Sequence, residues 1–87
     1  MPGATLKAEI QAMSRTVPFT AIIEREGEAY VALCPELDVA SQGETVEEAR
    51  ANLTEAVELF LESAPPGEIE QSLHREVFVT RLEVAVG

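Results

Sequence analysis

The sequence holds one cysteine and one histidine that could pair as nucleophile and base: Cys34, which precedes Pro35, and His74, in "QSLHRE". A thiolate and an imidazole can act as nucleophile and base when a third group orients the base. The spacing here gives no such triad. Pro35 marks a strand end, and His74 falls in a polar connection, so the pair reads as a half-buried thiol and a loop histidine. One histidine and one cysteine, without an aspartate-rich loop, do not make up a metal-ligand set. Gly43 stands alone as a turn residue, not as part of a phosphate-cradling loop. What the chain does carry is charge: sixteen acidic residues against six basic ones, a net −10. That field repels phosphate, so no direct nucleic acid binding is expected, and it attracts a basic protein partner.

The elements that would carry this charge belong to one small domain. Eighty-seven residues leave no room for a second folded unit. So short a chain buries only about 60–65% of its extended surface. An apolar share of 46% still argues for a globular fold, and a homodimer or higher homo-oligomer would help stabilise it. A lone cysteine rules out an internal disulfide. The start "MPGATLKAEIQAM" lacks the basic-then-apolar layout of a secretory signal. No run reaches the roughly 18 apolar residues of a membrane span, and the expected location is cytoplasmic, with no membrane contact and no cofactor.

Residues 1–16 read as an N-terminal arm and 17–87 as the domain. In the arm, Leu6, Ile10 and Met13 recur at helical spacing, while Leu6, Ala8, Ile10 and Ala12 also alternate, so helix and strand both stay open. Pro18 separates the arm from a hairpin, "VPFTAIIEREGEAYVALCPEL". Val17, Phe19, Ala21 and Ile23 share one face of its first strand, and Ala29, Val31 and Leu33 one face of its second. Glu26-Gly27 is the expected turn pair and Pro35 the terminator. "DVASQG" fits a short third strand closed by Gly43. A helix follows from a capping box at Thr45 and Glu48. Val46, Ala49, Leu53, Ala56, Val57, Phe60 and Ala64 line one side of it, and Glu47, Glu48, Glu55, Glu58 and Glu62 the other. Pro65-Pro66-Gly67 stops this helix. After a polar connection, "REVFVTRLEVAV" alternates as a last strand, with Phe78, Thr80, Leu82, Val84 and Val86 on one face. The expected fold is therefore α+β, in the order β-β-β-α-β. It comprises an antiparallel three-stranded sheet, one covering helix and a fourth strand parallel to a neighbour through a right-handed crossover.

This order resembles the core of the ribonuclease H fold, whose activity uses carboxylates to hold two divalent cations. Glu24, Glu48 and Glu83 lie on the corresponding elements. That family relies on aspartates, however, and the one aspartate here is Asp38, in a turn, so solvated glutamates and no enzymatic activity are expected.

A second resemblance runs through "EAYVALCPELDVASQGETVEEARANLTEAVELFLE", with the preceding "FTAIIERE" as its first strand. Ser41-Gln42-Gly43, Thr45, Glu47-Glu48-Ala49, Asn52-Leu53 and Glu55-Ala56, as an ordered set, are similar to the HicB family of type II toxin–antitoxin systems. The resemblance implies a partly degraded ribonuclease H-like fold without catalysis. It also implies a small basic HicA-like partner, a toxin that cleaves messenger RNA with a histidine and is occluded by the antitoxin. Many members carry a Pro-Gly-Cys turn where this chain has Leu37-Asp38-Val39-Ala40. Many also continue into a DNA-binding domain; with the sequence ending at Gly87, a HicB domain without operator binding is expected. The expected contact residues are Pro35, Glu36, Asp38, Glu47, Glu55, Glu58, Leu59 and Glu62. Leu59 lies outside the apolar stripe and is either part of a contact patch or a plain boundary residue. The alternative is a stand-alone self-assembling regulatory domain with no toxin partner.

Overall fold

The computed structural model describes residues 16–87, so the arm expected over 1–16 lies, but for Thr16, outside the described residues. Three strands, β1 (Ile22–Glu26), β2 (Ala29–Cys34) and β3 (Val39–Gly43), form one antiparallel sheet in the order β1-β2-β3. Two helices follow: α1 (Val46–Ser63) and α2 (Pro66–Leu73). The class is α+β, as the sequence implies.

The hairpin register pairs Glu26 with Ala29, so the turn pair is Gly27-Glu28 and not Glu26-Gly27. Gly27 has φ +64° while Glu28 is not left-handed, which is the pattern of a type II′ turn matched to strand twist. The first strand also starts later than expected. Thr20 gives its backbone N–H to the Glu36 carboxylate (2.9 Å to Oε2), so residues before Ile22 are held by a side chain and not by the ladder.

Helix α1 begins where its cap predicts. Thr45 is extended (φ −130°, ψ 165°) and its hydroxyl accepts from the Glu48 N–H at 3.0 Å, satisfying one orphan donor of the first turn. Helix α1 packs chiefly on β3 and β2 and only lightly on β1. Ala49, Leu53 and Val57 face Ala32 and Cys34, with Leu37 closing one end. The helix-facing side of β2 is thus Tyr30, Ala32 and Cys34. The alternate set Ala29, Val31 and Leu33 points to the uncovered face of the sheet, where it is half-buried. The core is small: Cys34 is the largest side chain that is fully enclosed. No buried side-chain nitrogen or oxygen among the described residues lacks a hydrogen-bond partner.

Two expectations for the C-terminal third need correction. The connection after Pro65-Pro66-Gly67 is not irregular but forms α2. Pro66 sits in its first turn, where a missing N–H costs nothing, and Ile69 and Leu73 recur at i, i+4. The expected fourth strand is absent from the sheet: residues 75–87 belong to no strand or helix. Their alternating apolar side chains stand in solvent, Phe78 at 82%, Leu82 at 78% and Val86 at 96% exposure. The pattern marks a strand, but a strand needs an edge to pair with, and residues 75–87 meet none among the described residues.

Candidate functional site

The expected contact residues divide into two groups that the fold does not bring together. The first is the β2–β3 turn, Pro35 to Asp38. Glu36 is half-buried and its charge is held by hydrogen bonds. Its carboxylate accepts from the Thr20 N–H (3.1 and 2.9 Å), from the Thr20 hydroxyl at 2.6 Å and from the Cys34 thiol at 3.5 Å. Partial burial pushes the Glu36 carboxyl up, but the Thr20 hydroxyl and the backbone amides of Glu36 and Thr20 outweigh it, and the group ends below the usual carboxylate range. Burial raises the Cys34 thiol above its ordinary value, offset in part by the Leu37 amide, which keeps it protonated and able to donate. Glu36 and Cys34 are therefore the clasp of the turn. Pro35 is half-buried. Asp38 is exposed with φ +57°, a left-handed position that aspartate tolerates better than most residues.

The second group is on α1. Positions 55, 58, 59 and 62 fall on one face of a 3.6-residue helix, opposite the Ala49, Leu53 and Val57 stripe that packs on the sheet. Glu55, Glu58 and Glu62 are all exposed, and they surround Leu59, which is 59% exposed. Glu47 is exposed in the first turn, where the helix dipole favours it. No α1 glutamate is ion-paired among the described residues, whose one such contact is His74 Nε2 to Glu70 Oε1 at 3.8 Å. Arg50, on the same helix, is exposed and makes no ion pair among the described residues. Helix α1 has no basic residue in its last turn, so Glu58 and Glu62 approach the negative end of the dipole without local compensation. The site is thus a solvated acidic stripe with an apolar centre, suited to docking a cationic surface.

The three glutamates that the ribonuclease H resemblance singles out do not converge. Among the described residues no three of the His, Cys, Asp or Glu side chains come close enough to hold a metal ion, and Glu83 lies on the solvent-exposed C-terminal run. His74 is at the end of α2 and Cys34 is in the core, so these two do not form a pair either. No described helix is long and apolar enough to cross a membrane.

One feature escaped the sequence reading. An apolar groove of about 540 Å³ opens between the extended approach to β1 and the two helices. Its walls include Phe19, Leu53, Val57, Leu61, Ile69 and Leu73. Leu61 and the α2 pair were its only visible signals, and both required knowing that α2 exists.

The UPF0150 protein ssr1765 of Synechocystis sp. is similar to this chain, with 49% identity over 47 residues. The match covers 52% of this chain and 60% of that protein, so the chain spans about three fifths of its relative's length. No protein-family profile matches the chain, and no solved structure matches it.

Proposed function

We propose that this protein is an antitoxin-type, HicB-like binding module that neutralises a small, basic, HicA-like mRNA-cleaving toxin by covering its active surface. The observation that carries this reading is the stripe of Glu55, Glu58 and Glu62 around exposed Leu59, charged groups with no ion pair among the described residues. Carboxylates near the C-terminal end of a helix are a local cost, which an incoming cationic partner turns into a gain. The likeness to a UPF0150 protein over 47 residues is consistent with the HicB-like ordered set described above. Glutamates steer the encounter, and burial of Leu59 at the centre supplies affinity, because rim charges act more on association rate than on binding energy. No bond is made or broken by the module, and its action needs no contact with DNA.

The test is co-expression with a small, basic, histidine-containing protein encoded in an adjacent reading frame. The expected result is rescued growth and a complex whose recovery falls as salt rises, since exposed charges are screened beyond about 10 Å at 0.1 M ionic strength. Glu55→Lys/Glu58→Lys/Glu62→Lys should abolish rescue while keeping the far-ultraviolet circular dichroism of α1. Absence of both complex and rescue at low salt would sink the reading.

A further inference from the structure

We infer that residues 77–86 form the missing fourth strand in a second copy of this chain, pairing along the free edge of that copy's β1 and roofing its apolar groove. The inference is independent of any toxin, and it rests on two incomplete halves of one structure.

The first half is the C-terminal run. Phe78, Thr80, Leu82, Val84 and Val86 alternate on one face, and the apolar members are 67–96% exposed. A β-prone, strongly apolar run of this kind does not persist in water; it pairs with an edge or it aggregates. The second half is the domain itself. Among the described residues strand β1 pairs only with β2, so its outer edge of N–H and C=O groups meets no other described strand. Where residues 16–21 lead into that strand lies the groove of about 540 Å³, walled by Phe19, Leu53, Val57 and Leu61. A strand laid along β1 would turn one face of alternating side chains into this groove.

The topology says why the strand goes to another copy. Helix α2 ends at Leu73, itself a wall of the groove, and only His74, Arg75 and Glu76 separate it from the run. The run stands in solvent beyond this short hinge, and short hinges of this kind favour exchange between identical chains. Charge permits the same contact. Each copy carries −10, which opposes self-association, but residues 75–87 hold Arg75 and Arg81 against Glu76 and Glu83 and are neutral. The contact is therefore made by a stretch that does not repel its twin. Reciprocal exchange closes a two-fold dimer with no free C-terminal strand left over.

The experiment uses the full chain. Light scattering at tens of micromolar should give a dimer, and Leu82→Asp/Val84→Asp should give a monomer that retains the helical circular dichroism of α1. A monomeric wild type, or a variant that stays dimeric, overturns the inference. Because the variant could also fail to fold, a mixed sample of differently isotope-labelled wild-type copies supplies a second measurement. Nuclear Overhauser contacts from Phe78 and Leu82 to Phe19 and Leu61 should be intermolecular only. Contacts within one copy, contacts to residues 1–15, or contacts between the two Phe78 rings would each overturn it.

Discussion

The side-chain amide of Asn52 donates to the backbone carbonyl of Gln42 across 2.7 Å, tying the second turn of α1 to the last pair of β3. Gln42 sits opposite Val31 at the sheet edge, where its carbonyl has no further strand to serve. The bond fixes the angle at which α1 leaves β3, and so the direction in which the acidic stripe faces. Asn52→Ala should cost about 1 kcal/mol of stability, the net worth of a neutral side-chain hydrogen bond. Asn52→Asp should cost more, because it sets an acceptor against an acceptor. Urea denaturation of the two variants checks the order.

Gly43 works at the same junction through sterics. It is buried and its φ is not positive, so conformational freedom is not the reason for glycine. A Cβ there would stand 2.5 Å from the Ala49 nitrogen and 2.8 Å from the Glu48 carbonyl carbon, both backbone atoms that cannot swing aside. Gly43→Ala should therefore force β3 and the start of α1 apart and cost roughly 1–3 kcal/mol, the usual price of overpacking. Retention of wild-type stability in thermal or urea unfolding would show that the junction yields more easily than its geometry implies.

How much of this was legible in the sequence depended on whether the signal was local. The span of α1 was readable because Thr45 and Pro65 bound it and the Ala49, Leu53 and Val57 spacing has a single solution on a helix. The hairpin was readable, but its turn was displaced by one residue, because Glu26-Gly27 and Gly27-Glu28 are equally polar and only the Ile23–Ala32 register decides between them. Helix α2 was lost because a Pro-Pro-Gly run reads as a breaker, although Pro66 starts a helix as well as Pro65 ends one. The fate of Glu36 was not readable at all. Its partner Thr20 is sixteen positions away, and an acidic residue in a turn is ordinarily solvated. The alternation of residues 77–86 was correctly legible as strand-forming, but a period reveals a face and never the chain that covers it.

The Glu36 clasp makes stability fall in acid. Its folded-state carboxyl titrates below the ordinary carboxylate value of 4.5, so the ionised form is favoured by folding. The contribution is fully present above that value and is lost as pH falls through the depressed folded one. Unfolding midpoints should therefore drop below about pH 4.5 more steeply in the wild type than in Glu36→Gln. At neutral pH Glu36→Ala should cost about 2 kcal/mol, since it removes charge-assisted bonds from the Thr20 hydroxyl and amide. Equal acid limbs in the wild type and Glu36→Gln would mean that the clasp is not ionic.

Glu62 should behave in the opposite way. It is exposed near the C-terminal end of α1, it makes no ion pair among the described residues, and that last turn has no basic residue. Glu62→Lys replaces an unfavourable dipole interaction with a favourable one and should raise stability by about 0.3–1 kcal/mol. The same change puts a positive charge beside Leu59, in the stripe through which a cationic partner would dock. Recovery of that partner at low salt should fall, and the loss should shrink at high salt, where both proteins are screened. If Glu62→Lys stabilises the fold and leaves partner recovery unchanged at low salt, the docking face lies elsewhere, and the partly apolar outer face of the sheet, with Ile22, Val31 and Leu33, becomes the surface to mutate next.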